Sequence, residues 1–213
     1  MLIDKIYQRR FSKTEERRVL WDVLVRNFFQ KYIKENDIVL DVPCGYGEFI
    51  NTVNCKKKLA LDINPDSKKY LNKNVTFLKA NSTKIPLDNK SVDKVFVSNF
   101  FEHITREDIQ RTIIEFNRIL KKGGSVLVLQ PNIRFAAKNY WMFFDHITAV
   151  DDRALEEIFT IEGFELTKRV LRFVPFTSQS KLPTTRLSVR LYLAFPIVWR
   201  ILGHQTFMIF KKK

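Results

Sequence analysis

Cysteine, histidine and long apolar runs are scarce in this chain of 213 residues. It has two cysteines, three histidines and no run of the roughly 18 apolar residues that a membrane span requires. Two cysteines make no disulfide framework, and the histidines lack metal-ligand spacing, so the sequence predicts no metal site. Residues 1–13 lack the apolar core of a signal peptide, and we therefore expect a cytoplasmic protein.

Glycine and acidic residues are also few. Six glycines and seven prolines exclude a fibrous or low-complexity chain, and 37 basic against 23 acidic residues give a net charge of +14. Such a charge attracts the phosphates of RNA, DNA, an anionic membrane or a nucleotide-linked substrate. Because the lysines are spread along the chain, a lysine-rich surface with no such partner explains the charge equally well.

Short apolar runs rich in β-branched residues alternate with segments of helical periodicity. The predicted strands are 38–42, 59–63, 75–78, 92–97, 125–129, 164–174 and 205–210. A helix over residues 14–35 precedes them. Near-continuous apolar strands separated by helices predict an α/β fold with a largely parallel sheet covered on both faces. In this class, ligands bind beyond the carboxyl ends of the strands.

One strand runs into a glycine-containing loop and then into a helix. Asp41 ends this strand and Gly45 and Gly47 follow, where glycine lets the backbone approach a ligand closely. Asp62 ends the next strand, a position from which a carboxylate accepts hydrogen bonds from ribose hydroxyls. Ile50 stands where a dinucleotide fingerprint needs its third glycine. The loop therefore suits a nucleoside with an amino-acid tail better than NAD or ATP.

These segments resemble class I S-adenosylmethionine-dependent methyltransferases. The resemblance covers about residues 39–163, through the loop at 39–47, the fourth strand with Asn99 and the turn at 120–124. It implies S-adenosylmethionine as cofactor, bound by Asp41, Val42, Pro43, Cys44, Gly45, Gly47, Asp62, Ile63, Asn81, Ser82, Asn99 and Phe100. Pro43 departs from the family, which usually has glycine there, and removes one amide donor.

The resemblance also implies the architecture. We expect one methyltransferase domain over residues 1–213, with a Rossmann-like seven-stranded sheet in the order 3-2-1-4-5-7-6. The last strand is expected to be antiparallel, with helices on both faces of the sheet. An insertion at about residues 178–203 separates the last two strands. Its arginines and apolar residues predict either a contact with an anionic membrane or a helix packed on the sheet or on a second copy.

Candidate catalytic residues follow the fourth and fifth strands. His103 is either a general base or a helix-start histidine that only binds backbone. His146 is interpreted as a general base positioned by Asp145. The residues expected to bind the methyl acceptor are Asn132, Arg134, Tyr140, Trp141 and Phe144. The alternative for this aromatic segment is a hydrophobic lid.

The segments 99–103, 130–134 and 140–146 are also similar to small bacterial methyltransferases associated with polysaccharide and glycolipid assembly. This similarity favours a small-molecule, sugar or lipid-linked acceptor, methylated at oxygen. RNA methylation is an alternative prompted by the charge, although no Asn-Pro-Pro-aromatic turn follows the fourth strand. A non-catalytic binding protein with this fold is a third interpretation, against which the intact acidic and glycine positions argue. The sequence leaves the oligomeric state open.

Overall fold

The computed structural model describes residues 14–175 and 184–213. Its strands are β1 Ile38–Asp41, β2 Lys57–Asp62, β3 Val75–Lys79, β4 Val92–Ser98, β5 Leu120–Pro131, β6 Phe164–Val170 and β7 Gln205–Lys212. They form one sheet in the order β3-β2-β1-β4-β5-β7-β6. Strands β1 to β5 pair in parallel, whereas β7 runs antiparallel to both β5 and β6. The predicted fold and strand order are confirmed.

Helices cover both faces of the sheet. They are α1 Thr14–Leu24, α2 Glu48–Thr52, α3 Arg106–Ile119, α4 Ile133–Tyr140, α5 Asp152–Ile161, α6 Arg186–Ala194 and α7 Pro196–Leu202. Alternate strand residues point to opposite sides, so Leu40 packs in the core beside α3 and Val39 in the core beside α1. The central strands are buried on both sides, which explains why their sequences are almost continuously apolar.

Three predicted boundaries differ from the structure by more than two residues. The first helical segment continues from α1 through a π-helical turn at Val25–Phe29 and a 3-10 turn at Gln30–Tyr32, so it ends before residue 35. Strand β5 begins at Leu120 instead of 125, with a register irregularity opposite Val92 and Lys94. Strand β6 ends at Val170 instead of 174, and residues after it turn back over the sheet.

The predicted insertion is described from residue 184 onward, and residues 178–183 of it lie outside the described part. Pro196 separates α6 from α7, as a residue without an amide hydrogen does. One side packs inward through Val189 and through Tyr192, whose hydroxyl donates to the Phe173 carbonyl at 2.8 Å. The other side leaves large apolar residues exposed, namely Leu187, Leu191, Phe195, Ile197 and Ile201. Among the helices in the described ranges, none is long and apolar enough to cross a bilayer.

Candidate functional site

The loop after β1, residues 42–47, lies at the carboxyl end of the sheet and is fixed to two strands. We call it the cofactor loop. The Val42 amide donates to the Phe96 carbonyl of β4, and the Cys44 amide to the Leu61 carbonyl of β2, both at 2.9 Å. Burial raises the pKa of the Cys44 thiol, so this cysteine remains a neutral part of the wall. Pro43 lies between these two anchors, where its missing amide costs the loop no strand hydrogen bond.

Asp62, at the end of β2, is held against the cofactor loop by backbone amides. Its Oδ2 accepts from the Gly45 amide at 3.0 Å, and its Oδ1 accepts from the Asn64 amide at 2.9 Å. Burial raises its pKa, although the Asn64 and Gly45 amides oppose the rise. The next residue, Ile63, is more than half exposed and offers an apolar surface beside the carboxylate. The Asp62 carboxylate suits the hydroxyls of a ribose, and the Ile63 side chain suits the flat face of a base.

Asp41 is buried among other acids. Burial, together with the charges of Glu48 and Asp62, raises its pKa well above the usual range. In the part of the chain that the structure describes, no lysine or arginine pairs with it, whereas Glu48 forms an ion pair with Arg17. A buried carboxylate with acids as its neighbours favours a cationic ligand, because such a ligand relieves both burial and repulsion.

The two glycines of the cofactor loop meet different surroundings. Gly45 has φ +50°, and a Cβ added there would meet no atom within 4 Å. Gly47 has φ +71°, and a Cβ there would lie 2.5 Å from Leu71 and 3.0 Å from Asn51. A side chain at Gly47 would have the strained positive φ and would displace the ends of Leu71 and Asn51, whereas a side chain at Gly45 would enter open space. Open space, a positive φ and two acids fit a sulfonium nucleoside.

Two predicted cofactor residues after β3 have different surroundings. Ser82 is buried, and its hydroxyl hydrogen-bonds Thr112 of α3 at 2.8 Å, so it belongs to the core and is a correction to the expected set. Asn81 is exposed, and its Oδ1 accepts from the Thr83 amide at 3.0 Å. The Asn81 side chain is therefore at the surface at this edge, where the base of a nucleoside is expected.

Asn99 immediately follows β4 and adopts a backbone conformation that favours glycine. Its φ is +48°, its amide donates to the Leu129 carbonyl at 2.9 Å, and its side-chain amide donates to the Ser98 hydroxyl at 2.8 Å. Such conformations cost about 1–3 kcal/mol outside glycine and cluster at functional sites. Phe100 beside it is half-buried, while Phe101 is fully buried in the core.

Beyond Asn99, three side chains from two distant segments of the sequence converge. We call Glu102, His103 and His146 the histidine cluster. Their ligating atoms all lie within 4.8 Å of one another, and Glu102 and His146 are buried. The sequence predicted no metal site because its histidines lack ligand spacing; His103 and His146 are distant in sequence, and only the fold brings them together.

Asp145, which was predicted to position His146, lies against His103. Its Oδ2 lies 3.3 Å from Nδ1 of His103, and its backbone carbonyl lies 3.0 Å from the same nitrogen. Because both oxygens only accept hydrogen bonds, they favour a proton on Nδ1 of His103, and Nε2 lies 3.7 Å from Oε1 of Glu102. Asp145 therefore positions His103, which the sequence had paired with no carboxylate.

Three residues expected to bind the acceptor are structural. Asn132 donates to Asp152 at 2.7 Å and to Thr206 at 3.0 Å, and Arg134 donates to Asp152 at 2.8 Å. Tyr140 is fully buried, and its hydroxyl donates to the Thr148 carbonyl at 2.8 Å. Each of these side chains satisfies a buried polar group. Their polarity in a loop-rich segment suggested a binding role that the packing does not support.

The remaining aromatic residues of this segment are at the surface. Residues 141–147 form what we call the aromatic loop, in which Phe144 is 83% exposed. Trp141, Met142 and Ile147 are also more than half exposed. Exposed apolar side chains next to the buried histidine cluster are suited to cover an apolar ligand.

Glu102 is the functional candidate that sequence analysis missed. It is 1% exposed, and its Oε2 accepts from the Gln130 side chain at 2.7 Å. Burial raises its pKa, although the neighbouring His103 opposes the rise. The signal in the sequence was an acid placed between a core phenylalanine and a histidine at the end of a buried strand.

Comparisons with known proteins agree with this geometry. Residues 40–128 match the family model described as a methyltransferase domain. Over 132 residues the chain is 33% identical to an uncharacterized protein of Methanocaldococcus jannaschii, covering 61% of this chain and 47% of that protein. Over 116 residues it is 28% identical to the ubiquinone/menaquinone biosynthesis C-methyltransferase UbiE of Campylobacter jejuni, covering 46% of each. The chain spans about half the length of these relatives.

A solved structure extends the likeness to the whole fold. A SAM-dependent methyltransferase from Archaeoglobus fulgidus matches with a TM-score of 0.65 at 21% identity, covering 92% of this chain and 94% of that chain. This likeness shows the fold, and the family match adds the methyltransferase domain. Together they support a methyltransferase enzyme with S-adenosylmethionine as its cofactor.

Proposed function

We propose that this chain is a class I S-adenosylmethionine-dependent methyltransferase that methylates a hydroxyl of a small-molecule, sugar or lipid-linked acceptor. The observation that carries the proposal is Asp62, held by the Gly45 and Asn64 amides beside the buried Asp41. Asp62 accepts the ribose hydroxyls, and Asp41 favours the positive charge of the cofactor. Ile63 and Asn81 contact the base.

We assign activation of the acceptor to residues that follow the carboxyl end of β4. S-adenosylmethionine supplies an electrophilic methyl carbon, which forms a bond to the acceptor oxygen as the carbon–sulfur pair of electrons returns to sulfur. The chain's own residues must hold the two in line, exclude water and take the hydroxyl proton. His103, with its Nδ1 proton fixed by Asp145, offers the Nε2 lone pair for that proton, and His146 lies against it with ring centroids 4.9 Å apart.

Substituting Asp62 tests the cofactor half of the proposal. Asp62→Ala removes both hydroxyl-accepting oxygens, and we expect S-adenosylmethionine affinity to fall by about 100-fold, since hydrogen bonds to charged groups contribute roughly 1.5–3 kcal/mol each. Calorimetric titration of the purified protein measures it. Asp66→Ala is the matched control, because Asp66 is exposed and pairs only with Lys69 at 2.7 Å. Wild-type protein that gives no binding heat would instead indicate the non-catalytic binding protein.

A lipid-linked acceptor is supported by the apolar side of α6 and α7. Its exposed leucine, isoleucine and phenylalanine side chains stand beside the exposed Arg190 and Arg200, in a chain of net charge +14. Apolar residues next to arginines match the surface of an anionic bilayer. We propose peripheral contact at this side, tested by flotation with anionic vesicles. Leu191→Glu should release the protein, and binding that survives this change would contradict the assignment.

RNA methylation is the second candidate, favoured by the same net charge. It predicts saturable binding of transfer or ribosomal RNA whose affinity falls steeply as salt rises. An acceptor screen with sugar-nucleotide, lipid-linked and quinone compounds, run beside the RNA titration, separates the two. Methyl transfer to RNA alone would replace the small-molecule assignment.

A further inference from the structure

We infer that Glu102, His103 and His146 form a binding site for a divalent transition-metal ion that receives the oxygen of the methyl acceptor. The inference deepens the proposed function and rests on it for the acceptor's identity, whereas metal binding itself does not. Two imidazoles and one carboxylate are a donor set used by catalytic zinc and related ions, with a coordination position left open.

The distances suit one shared ion. Nε2 of His103 lies 3.7 Å from Oε1 of Glu102, and all three ligating atoms fall within 4.8 Å. Ligands about 2.1 Å from a tetrahedral ion are roughly 3.4 Å apart, so the cluster needs to contract only modestly. The mixed nitrogen and oxygen donors favour zinc, cobalt, iron or manganese over calcium and magnesium.

Two of the three ligands, His103 and Glu102, have the kind of outer contact that orients metal ligands. The second ring nitrogen of His103 is held by Asp145, and Oε2 of Glu102 accepts from Gln130 at 2.7 Å. Metal-bound histidines usually donate their other N–H to a carboxylate or a backbone carbonyl, and ligating carboxylates are themselves hydrogen-bonded. His103 has both kinds of acceptor. A carboxylate buried as deeply as Glu102 is ordinarily paired with a cation or bound to a metal.

The backbone fixes the cluster before any ion binds. The amides of Ile147 and Thr148 both donate to the carbonyl of Glu102, at 2.9 and 3.2 Å. The Thr148 hydroxyl donates to the Ile104 carbonyl at 2.6 Å. These contacts join the residues after His146 to the turn that carries Glu102 and His103. The segment containing His146 is therefore attached where its ring meets the other two ligands.

Such an ion has a defined task in methyl transfer to oxygen. A hydroxyl bound at the open position would have a lowered pKa and would lose its proton to solvent. Its oxygen would then form the bond to the methyl carbon as the carbon–sulfur bond breaks and its electron pair goes to sulfur. His103 acts in this case as a ligand through Nε2 instead of as the base. The aromatic loop beside the cluster covers the remainder of the acceptor.

Metal titration of tag-free, EDTA-dialysed protein tests the site. We expect one Zn²⁺ per chain by calorimetry, and Co²⁺ at the same site to give visible absorption of a nitrogen–oxygen ligand set. Glu102→Gln and His146→Asn should each weaken binding at least 100-fold, because loss of an outer-shell contact alone costs about 10–100-fold. Glu102→Gln keeps the Gln130 contact, and circular dichroism verifies folding. His204→Gln, which changes the third histidine of the chain, should leave binding unchanged.

The outcomes separate this inference from the proposed function. If the chain binds none of Zn²⁺, Co²⁺ and Mn²⁺ saturably, or if the cluster variants bind as tightly as wild type, the metal site is refuted and His103 remains the base. S-adenosylmethionine binding is titrated separately on the metal-free protein. Its absence would refute the proposed function while leaving the measured metal site in place.

Discussion

Asp41 and Asp152 are both buried aspartates, yet their surroundings are opposite. Burial alone would raise the pKa of Asp152, but hydrogen bonds from Asn132, Arg169 and Arg134 outweigh it and lower the pKa. The pKa of Asp41 is raised by burial and by the charges of neighbouring carboxylates. The fold thus supplies the cations for one aspartate and withholds them from the other.

The comparison separates a structural carboxylate from a binding one. A buried charge that is paired within the chain stabilises the fold only if its partners remain, and removing one member leaves the others uncompensated. A buried charge surrounded by like charges destabilises the fold and is retained where a ligand supplies the missing cation. This criterion predicts a binding site at the loop after β1 and a structural role for the region around Asp152.

The largest effect on stability is expected at Asp152. Asp152→Ala should lower the free energy of unfolding by about 3 kcal/mol, since Arg134, Arg169 and Asn132 lose a shared acceptor. Urea unfolding measures it, and S-adenosylmethionine affinity of the folded protein should be unchanged. Glu156→Ala is the control, because Glu156 also pairs with Arg169 but its side chain is 39% exposed, and its loss should cost under about 1 kcal/mol. Equal losses in the two variants would remove the distinction between the aspartates.

The same contrast explains what could be predicted from the sequence. The sheet and the cofactor loop follow from local patterns, because Asp41 and Asp62 each end an apolar strand and Gly45 lies in the short loop after the first of them. The acceptor side depends on contacts between distant segments. Whether Asn132 meets a ligand or Asp152, and whether Asp145 orients His146 or His103, is decided by how two loops pack. No spacing within one segment carries that information.

A smaller effect on stability is expected from substitutions of two neighbouring residues at the end of α4. Tyr140→Phe should cost about 1–2 kcal/mol of unfolding free energy, because the Thr148 carbonyl loses a donor and the Val150 amide loses the acceptor that it has at 3.1 Å. Trp141→Ala should change stability by less than about 0.5 kcal/mol, since this side chain is more than half exposed. Thermal denaturation measures both variants.

In acceptor turnover or binding assays, Trp141→Ala should have a larger effect than Tyr140→Phe, which reverses the order of their effects on stability. Trp141→Ala removes a ring of the aromatic loop, whereas Tyr140→Phe leaves that loop's exposed surface unchanged. If Trp141→Ala binds acceptor as well as wild type does, the exposed rings serve no acceptor and the aromatic loop is only a surface segment. Loss of stability in Trp141→Ala would also contradict the comparison.

The remaining expected effect on stability is a gain. Asp41→Asn keeps an oxygen to accept from the Ile50 amide but removes the buried charge, so the cofactor-free protein should gain about 1 kcal/mol at neutral pH, or a few degrees in Tm. The same variant should bind S-adenosylmethionine more weakly, because the ligand's cation loses its carboxylate. Asp66→Asn, at an exposed aspartate, should change neither quantity.

The gain from Asp41→Asn should depend on pH in one direction. Because the folded-state pKa of Asp41 lies above its unfolded value near 3.8, the folded wild type takes up a proton first as the pH falls. As the pH falls through the folded-state pKa, the free energy of unfolding of the wild type therefore rises relative to that of the variant. The difference between the two proteins closes as the pH approaches the pKa of Asp41 in the unfolded state. Melting curves at matched pH values for both proteins measure this. A difference that stays constant or widens in acid would mean that Asp41 is not held as a buried charge, and that its part in favouring a cationic ligand is wrong.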